Sequence, residues 1–417
     1  MNIANSKDLR PGAEAFSHLD RTVDSIRAEL GVDAISVDAI RNPDVYELER
    51  EKIFKNCWLK VSTDWEIPET GDYKVKELAV ADASVLIVRG KDGKIRAFHN
   101  VCTHRGNKVV PTDESEVFGN ARANVLSCRF HGWVFGTDGA LRSVPLEENF
   151  GQFDKACLGL REIACDIWEG FVFINFADQP KQSLAEFLGD FGKLFAGYPY
   201  AEATTAFRYS TVLECNWKVA QYAFSEAYHV PTIHAGSLPG FKGIEPSDFK
   251  LIGPHASSAI YGAGMDTAES TAKFAGLLHS DDHHGPRPDM LPPGINPTGR
   301  SDFQFELPNI FPNLLIHLAS GCGYPGLAYF THQFWPLDHG RTLWEGVNYF
   351  RPARNAAERV AQLHVNALHR NAWLEDTATM EDTFAGIRSG AIDEMQLMDQ
   401  EFMIRHAARM HDNYLAQ

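Results

Sequence analysis

The spacing of apolar residues along this chain changes its period twice. From about residue 20 to 56 they recur at helical intervals, as in R-N-P-D-V-Y-E-L-E-R-E-K-I-F, where Pro43 and Asp44 suit a helix start. From Trp58 to about Phe176 the pattern shortens to alternating or β-branched runs, such as Ser84 to Val88 and Phe171 to Phe176. Turn signals punctuate them at Gly71, Lys91-Asp92-Gly93 and Thr137-Asp138-Gly139. This predicts a small antiparallel β domain. Beyond Asp178 the two periods interleave, with helices expected over 182–197, 217–229, 356–388 and 393–415, and strands over 208–215, 311–319, 328–336 and 342–350. Strands and helices without β-α-β regularity indicate an α+β domain on an antiparallel sheet. His279 to Arg300 is rich in proline, glycine and polar residues and reads as a long solvated loop or lid, its histidines included.

Composition narrows the function classes. The 417 residues, 44% of them hydrophobic, suffice for two packed cores. A formal charge of −16 repels phosphate backbones and anionic lipid, so neither nucleic acid nor a membrane surface is an expected partner. Such an acidic surface suits solubility or the docking of a more basic redox partner. The sequence shows no apolar run long enough to span a bilayer and no basic-then-apolar leader, so the cytoplasm is the expected location. Of the seven cysteines, Cys57, Cys157, Cys165, Cys215 and Cys322 stand among apolar neighbours and read as buried free thiols of a reducing compartment.

The other two cysteines belong to short motifs. Cys102 and His104 lie in C-T-H-R-G, Cys128 and His131 in C-R-F-H-G-W, with twenty-three residues between the pairs. Two tight loops of this kind can grip a two-iron cluster, thiolates holding one iron and neutral imidazoles the other, which makes the cluster easier to reduce than an all-cysteine one. A Cys2His2 set can also hold structural zinc, but zinc sites usually space each pair by about two to five residues, and C-x-H followed by R-G is unusual for them. The loops resemble those of Rieske [2Fe-2S] proteins, with Phe130 where a tyrosine is common.

A second constellation lies in N-W-K-V-A-Q-Y-A-F-S-E-A-Y-H-V-P-T-I-H. On a continuous helix, Tyr222, Glu226 and His229 share a face, and Pro231 is expected to end that helix so that a loop returns His234 beside His229. The third member is Asp376, a lone acid on a mostly apolar helix face with His369, Trp373 and Met380, costly to bury unless bound to a cation. Two histidines and a carboxylate on one face of Fe(II) leave positions open for O2. Glu375, Glu381 and Asp382 are the alternative carboxylates, read as solvated helix charges.

With these residues together the chain resembles the catalytic α subunit of Rieske non-haem iron ring-hydroxylating oxygenases. The resemblance runs from R-N-P-D-V-Y-E-L-E-R-E-K-I-F-x-x-x-W through both cluster loops, W-E-G-F-V-F-I-N-F, the N-W-K to H-x-x-x-x-H block and I-F-P-N-L, to the Asp376 helix and its G-I-R-S-G exit. It implies an N-terminal helical segment (1–56) packed on the catalytic domain, an all-β Rieske domain (57–177) and a helix-grip, START/Bet v1-like catalytic domain with an antiparallel sheet (178–417). It also implies a mononuclear Fe(II) held by His229, His234 and Asp376, and Glu226 as the acid that bridges a cluster histidine of one subunit to an iron-ligand histidine of the next. Where the family commonly has aspartate, this chain has the longer glutamate. Tyr222, Phe224, Asn313, His317, His369 and Trp373 are candidate pocket residues, each equally compatible with core packing.

The implied reaction uses O2 and electrons from NAD(P)H, passed through a separate ferredoxin or flavin reductase, to dihydroxylate or monooxygenate an aromatic or other apolar cyclic substrate; demethylation and oxidation of non-aromatic substrates are the alternatives. A homotrimer is implied, with a β subunit optional. The chain lacks its own reductase signals: G-C-G-Y-P-G at 321–326 reads as a turn, and no C-x4-C-x2-C motif is present. A pure electron carrier would leave His229, His234 and Asp376 unexplained. A ligand-binding protein that had lost its iron site would not be expected to keep all three.

Overall fold

A computed structural model describes residues 13–152, 154–237, 249–261, 291–296, 303–318 and 327–417. Most of His279–Arg300, the stretch 321–326 and Cys322 lie outside the described residues. The chain divides into two compact units: one runs from Glu47 to Phe187 and includes Trp335–Asp338, and the other comprises the rest.

The first unit is mostly β, with a helical turn at Arg50–Phe54 and several short 3-10 turns. Its seven-stranded antiparallel sheet runs in the order Leu59–Thr63, Phe171–Asn175, Glu162–Trp168, Ile95–His99, Ala83–Arg89, Asp72–Leu78 and Glu116–Asn120. A smaller sheet joins Val125–Ser127, Val134–Gly136 and Leu141–Ser143. The hairpin in W-E-G-F closes through Glu169 (φ 49°) and Gly170 (φ 84°), with Trp168 opposite Phe171. Two successive left-handed residues match the twist of a tight hairpin, and a Cβ on Gly170 would lie 2.5 Å from the Trp65 ring. Val75, Leu86, Phe98, Trp133 and Phe135 pack into one core that also takes in Cys102 and Cys128.

In the second unit, an eight-stranded antiparallel sheet has the order Thr205–Leu213, Arg341–Phe350, Ala328–Asp338, Leu314–Leu318, Phe303–Glu306, His255–Tyr261 and Phe249–Ile252, with Asn309–Ile310 paired to two of them. The helix Ala356–Arg388 carries a buried stripe that includes Val365, His369, Trp373, Asp376, Met380 and Phe384. It starts where the Asn355 side chain caps the Glu358 amide at 2.9 Å and ends before Gly390 at φ 74°. That periodic stripe sets its register.

Several expectations need correction. The strands Phe249–Ile252, His255–Tyr261 and Phe303–Glu306 are short runs beside glycine- and proline-rich sequence and were not anticipated. The last helix spans Phe402–Leu415, not 393–415, because Glu394–Met395 pairs with Ile35–Ser36. Cys157 is exposed and Cys165 half-buried, whereas Cys57 and Cys215 are buried. Cys165 lies on a strand whose outer face is solvated, and Cys157 in a 3-10 turn. Among the described residues no helix is long and apolar enough to cross a membrane.

The second unit buries histidines in uncharged form. Burial pulls His332 down to about 3 and both His369 and His406 to about 4, against an ordinary 6.5. Between those values the unfolded chain binds more protons than the folded one, so stability present above pH 6.5 is lost as pH falls toward 4. Thermal melts followed by near-UV circular dichroism should therefore show a loss between pH 7 and pH 5 on the order of 1–2 kcal/mol per histidine, with a shallower slope in His406→Gln. A flat profile would contradict the assignment.

Candidate metal centres

The two cluster loops share one six-residue frame. In the first, the Cys102 amide donates to the Asn107 carbonyl at 2.8 Å and the Gly106 amide to the Cys102 carbonyl at 3.0 Å. The second repeats this with Cys128 to Trp133 at 2.8 Å and Gly132 to Cys128 at 2.9 Å. Both glycines have positive φ, 79° and 71°, a conformation that only glycine adopts cheaply at such a closure. Within this shared frame the histidine occupies the third position of one loop and the fourth of the other.

Both sulfurs are buried, and the imidazoles of His104 and His131 are half-buried with ring centroids 4.5 Å apart. Trp133 stacks on His104 at 4.8 Å, while the exposed Phe130 ring lies against His131 at 3.8 Å. Burial pushes the Cys102 thiol up, against the amides of His104 and Arg105. At Cys128 burial is outweighed by the Phe130 amide, Cys102, the Asn107 side chain and the His131 amide, which hold the thiol below its ordinary value. Asn107 Nδ2 donates to Cys128 Sγ at 3.6 Å. Burial, with His131 and Arg105 nearby, also lowers His104 and favours its neutral, ligating form. Two thiolates cradled by amides, beside two imidazoles, fit a cluster with mixed sulfur and nitrogen ligation.

In the other unit the helix after N-W-K is shorter than expected. Asn216 caps the Lys218 amide at 3.1 Å, and the helix ends at Ala223. Ser225 Oγ donates to the Gln221 carbonyl at 2.8 Å and replaces a backbone donor, which breaks the helical ladder. Tyr222, Glu226 and His229 therefore do not lie along one continuous helix. Pro231 does not end a helix either; it sits in the first turn of a short one, Val230–Ile233, where its missing N–H costs nothing. His229 and His234 bracket that turn, with ring centroids 5.3 Å apart.

Asp376 lies opposite them, 4% exposed on the long helix. Its Oδ1 is 3.4 Å from His229 Nε2 and 3.0 Å from His234 Nε2, and the three donor atoms lie within 4.8 Å of one another. Both Nδ1 atoms face other carboxylates. His229 Nδ1 bonds Glu226, which also accepts the amides of Tyr228 and His229, and His234 Nδ1 bonds Glu375 at 2.8 Å. Glu375 also accepts from Ser237 Oγ at 2.6 Å, so it is not a solvated helix charge but holds a ring of the site. Glu381 instead accepts the Glu214 amide at 3.0 Å, and Asp382 is exposed.

This arrangement fits a divalent metal. Each ring is fixed by a carboxylate on Nδ1 and presents Nε2 to one carboxylate oxygen, the pattern that orients imidazole ligands. Separations of 3.0 and 3.4 Å suit ligands about 2.1 Å from one ion at roughly a right angle or slightly wider. Burial disfavours the charged His229 ring, yet Asp376 and Glu226 outweigh it and raise the group to about 10. His234 is raised in the same way, burial being outweighed by Asp376 and Glu375, while both histidines lower Asp376 against its burial. The site calls for positive charge.

Beside it lies a cavity of about 290 Å³ lined by Tyr222, Glu226, His229, Asp376, Met380 and Ile404, among others. The other expected pocket residues lie elsewhere. Phe224, His317, His369 and Trp373 join His332 and Trp344 between the sheet and the long helix, with Phe224 stacked on His332 at 4.3 Å. Asn313 is structural, its Nδ2 donating to the Phe334 carbonyl at 3.0 Å. Sequence reasoning missed His332 and Trp344, although both stand on apolar, alternating strands where a histidine is a conspicuous exception.

Residues 200–417 match the family model of the ring hydroxylating α subunit (catalytic domain), and residues 57–157 match that of the Rieske [2Fe-2S] domain. This chain belongs to the ring-hydroxylating α subunits. It is an oxidoreductase of the Rieske oxygenase type, whose cofactors are a [2Fe-2S] cluster and a non-haem iron. Among its relatives, the 2-aminobenzenesulfonate 2,3-dioxygenase α subunit of Alcaligenes sp is 33% identical over 72% of this chain and 70% of its own length. The naphthalene 1,2-dioxygenase large oxygenase component of Pseudomonas aeruginosa is 34% identical over 56% of this chain and 51% of its own. A glycine betaine monooxygenase oxygenase subunit from Chromohalobacter salexigens is 32% identical over 52% of this chain and 46% of its own. The crystal structure of the quaternary ammonium Rieske monooxygenase CntA with an inhibitor shares the fold, with a TM-score of 0.74 at 21% identity over 95% of this chain and 99% of that one.

For this α subunit the carboxylates behind the histidines are expected to set iron affinity. Glu375→Gln should weaken Fe(II) binding about 10- to 100-fold, measured by titration of the metal-depleted protein, because His234 loses its orienting partner. Unchanged affinity would show that Glu375 has no such role. Cys102→Ser should abolish the visible absorption of the cluster.

Proposed function

We propose that this chain is the terminal oxygenase component that inserts oxygen from O2 into an aromatic or other apolar cyclic substrate, with Cys102, His104, Cys128 and His131 holding the cluster and His229, His234 and Asp376 the iron. The observation that carries this reading is the convergence of two imidazole Nε2 atoms on one buried carboxylate, each ring fixed from behind by a second carboxylate. When bound at these residues, the cluster would supply single electrons and the ferrous ion would supply the activation of dioxygen.

The chain's own residues supply geometry. Val230–Ile233 fixes the separation of the two imidazoles, and the long helix brings Asp376 to them from a buried stripe. Apolar side chains such as Met380 and Ile404 line the adjoining cavity and limit water there. Glu226 is the link for electron entry: its carboxylate is bonded to His229 Nδ1, so a cluster histidine arriving from a neighbouring subunit would need one further hydrogen bond to reach the iron ligand. The longer glutamate here is taken up by the Tyr228 and His229 amides, which it also caps. A separate NAD(P)H-dependent reductase or ferredoxin delivers the electrons, and the working assembly is a homotrimer, with or without a β subunit, in the cytoplasm.

The test separates the two centres. Asp376→Ala should abolish substrate-dependent oxygen incorporation and lose the mononuclear iron while about two irons per chain and the cluster spectrum remain. Loss of the spectrum as well would contradict two independent sites. Glu226→Gln should retain both metals yet slow electron delivery in single-turnover experiments with the pre-reduced protein, and wild-type rates would remove Glu226 from the pathway.

A further inference from the structure

The strand pairs His317↔Phe330 and Leu315↔His332 put His317, Phe330 and His332 on one face of the sheet. The long helix covers that face with His369 and Trp373, two turns and one turn before Asp376. Trp373 meets His332 at 5.0 Å and Trp344 at 5.4 Å between ring centroids, and Phe330 meets His369 at 4.7 Å. His317, His332 and His369 are 9%, 0% and 5% exposed.

Two of these imidazoles keep ring nitrogens without a partner among the described residues. Trp344 Nε1 can only donate, and it donates to His332 Nδ1 at 3.2 Å, so the proton of neutral His332 resides on Nε2. That N–H has no partner among the described residues, and neither has either nitrogen of His317. His369 is accounted for differently, its Nδ1 donating to Asn348 Oδ1 at 2.7 Å, which the Asn348 to Asn366 bond at 2.8 Å orients. Folded proteins rarely leave such groups unpaired in their interior, because each forfeits its hydration. Nothing among the described residues accounts for them.

We propose that this imidazole-bearing aromatic face, continuous with the iron ligand Asp376 along the helix, recognises substrate, and that it takes a flat aromatic ring carrying an uncharged oxygen acceptor such as a hydroxyl or carbonyl, bound by His332 Nε2–H. The inference deepens the oxygenase reading and rests on it. Phe224 and Trp344, nearly parallel at 6° and 6.0 Å apart, supply flat surfaces for a ring. Charge is disfavoured: burial holds all three imidazoles uncharged, and Phe224, Phe330, Trp344 and Trp373 bring no cation to balance an anion. A cationic substrate would find aromatic rings but would face the positive end of the His332 N–H.

Equilibrium binding to the anaerobic holoenzyme distinguishes these classes with four probes: naphthalene, 1-naphthol, 1-naphthoate and carnitine. The wild type should bind 1-naphthol roughly 10- to 100-fold more tightly than naphthalene, the range of one hydrogen bond to a preformed buried donor. His332→Phe should erase that ratio and His332→Gln, which keeps an N–H, should restore part of it, with the cluster spectrum and melting temperature as checks on folding. Equal or tighter binding of naphthalene, a preference for 1-naphthoate or carnitine, or an undiminished ratio in His332→Phe would overturn the proposal. The wild-type ranking decides the class even if the phenylalanine variant does not fold. Reductase-driven oxygen uptake with any probe leaves the oxygenase reading standing whichever way the binding falls.

Discussion

The catalytic unit is organised around one unfavourable act, the burial of the Asp376 carboxylate in the middle of a long helix. Desolvating such a group costs several kcal/mol unless positive charge comes with it. Around it the chain supplies two more carboxylates, Glu226 and Glu375, each behind an imidazole. Three carboxylates carry a formal −3; two protonated imidazoles, or one divalent ion with two neutral imidazoles, each bring this to −1. Proton and metal are thus electrostatically interchangeable, which explains why both histidines are raised and already turn Nε2 toward Asp376. Metal uptake then becomes an exchange of protons for an ion within a preorganised frame.

The β unit solves a different problem. Its Cys102, His104, Cys128 and His131 side chains sit on loops, which are ordinarily its least rigid parts. Here each loop is closed on itself by two backbone hydrogen bonds and rooted through its cysteine in the hydrophobic core. The sulfur end is thereby fixed and dry, while the imidazole end stays half-exposed. Such a gradient of burial suits a centre whose electron leaves from the histidine side. Phe130, exposed and against His131, adds apolar surface at that end.

How much of this could be read from the sequence depends on how local each constraint is. The cluster loops were legible because all their determinants, two ligands and one glycine, fall within six residues. The helix Ala356–Arg388 was legible because its periodicity is long and its cap is an asparagine. His229, His234 and Asp376 come together as expected, but through a different local geometry. One serine, Ser225, breaks the helix by bonding the Gln221 carbonyl, and one proline, Pro231, starts a turn instead of ending one. Neither choice is decided by periodicity, since both residues tolerate the alternative. Glu375 looked like solvent-facing charge because its partner, His234, is 141 residues away in the chain.

The buried layer of histidines and aromatic rings was legible only in part, because sequence distinguishes a buried histidine from an exposed one less readily than it places an apolar stripe. His369 and Trp373 share the helical stripe of Asp376, so their proximity to it follows from periodicity. His332 and Trp344 become neighbours only once two strands pair, and the bond from Trp344 that fixes the tautomer of His332 exists only in the folded sheet. That bond matters chemically: without it, His332 could turn either a donor or an acceptor toward its surroundings; with it, the ring presents a donor. An interior built for stability alone would fill these positions with leucine or phenylalanine and lose nothing in packing. Retaining His317 and His332 there leaves nitrogens without a partner among the described residues, at a cost of about 1–3 kcal/mol for each unsatisfied group, a penalty that the extensive sheet and the 33-residue helix can absorb and that a bound acceptor would offset.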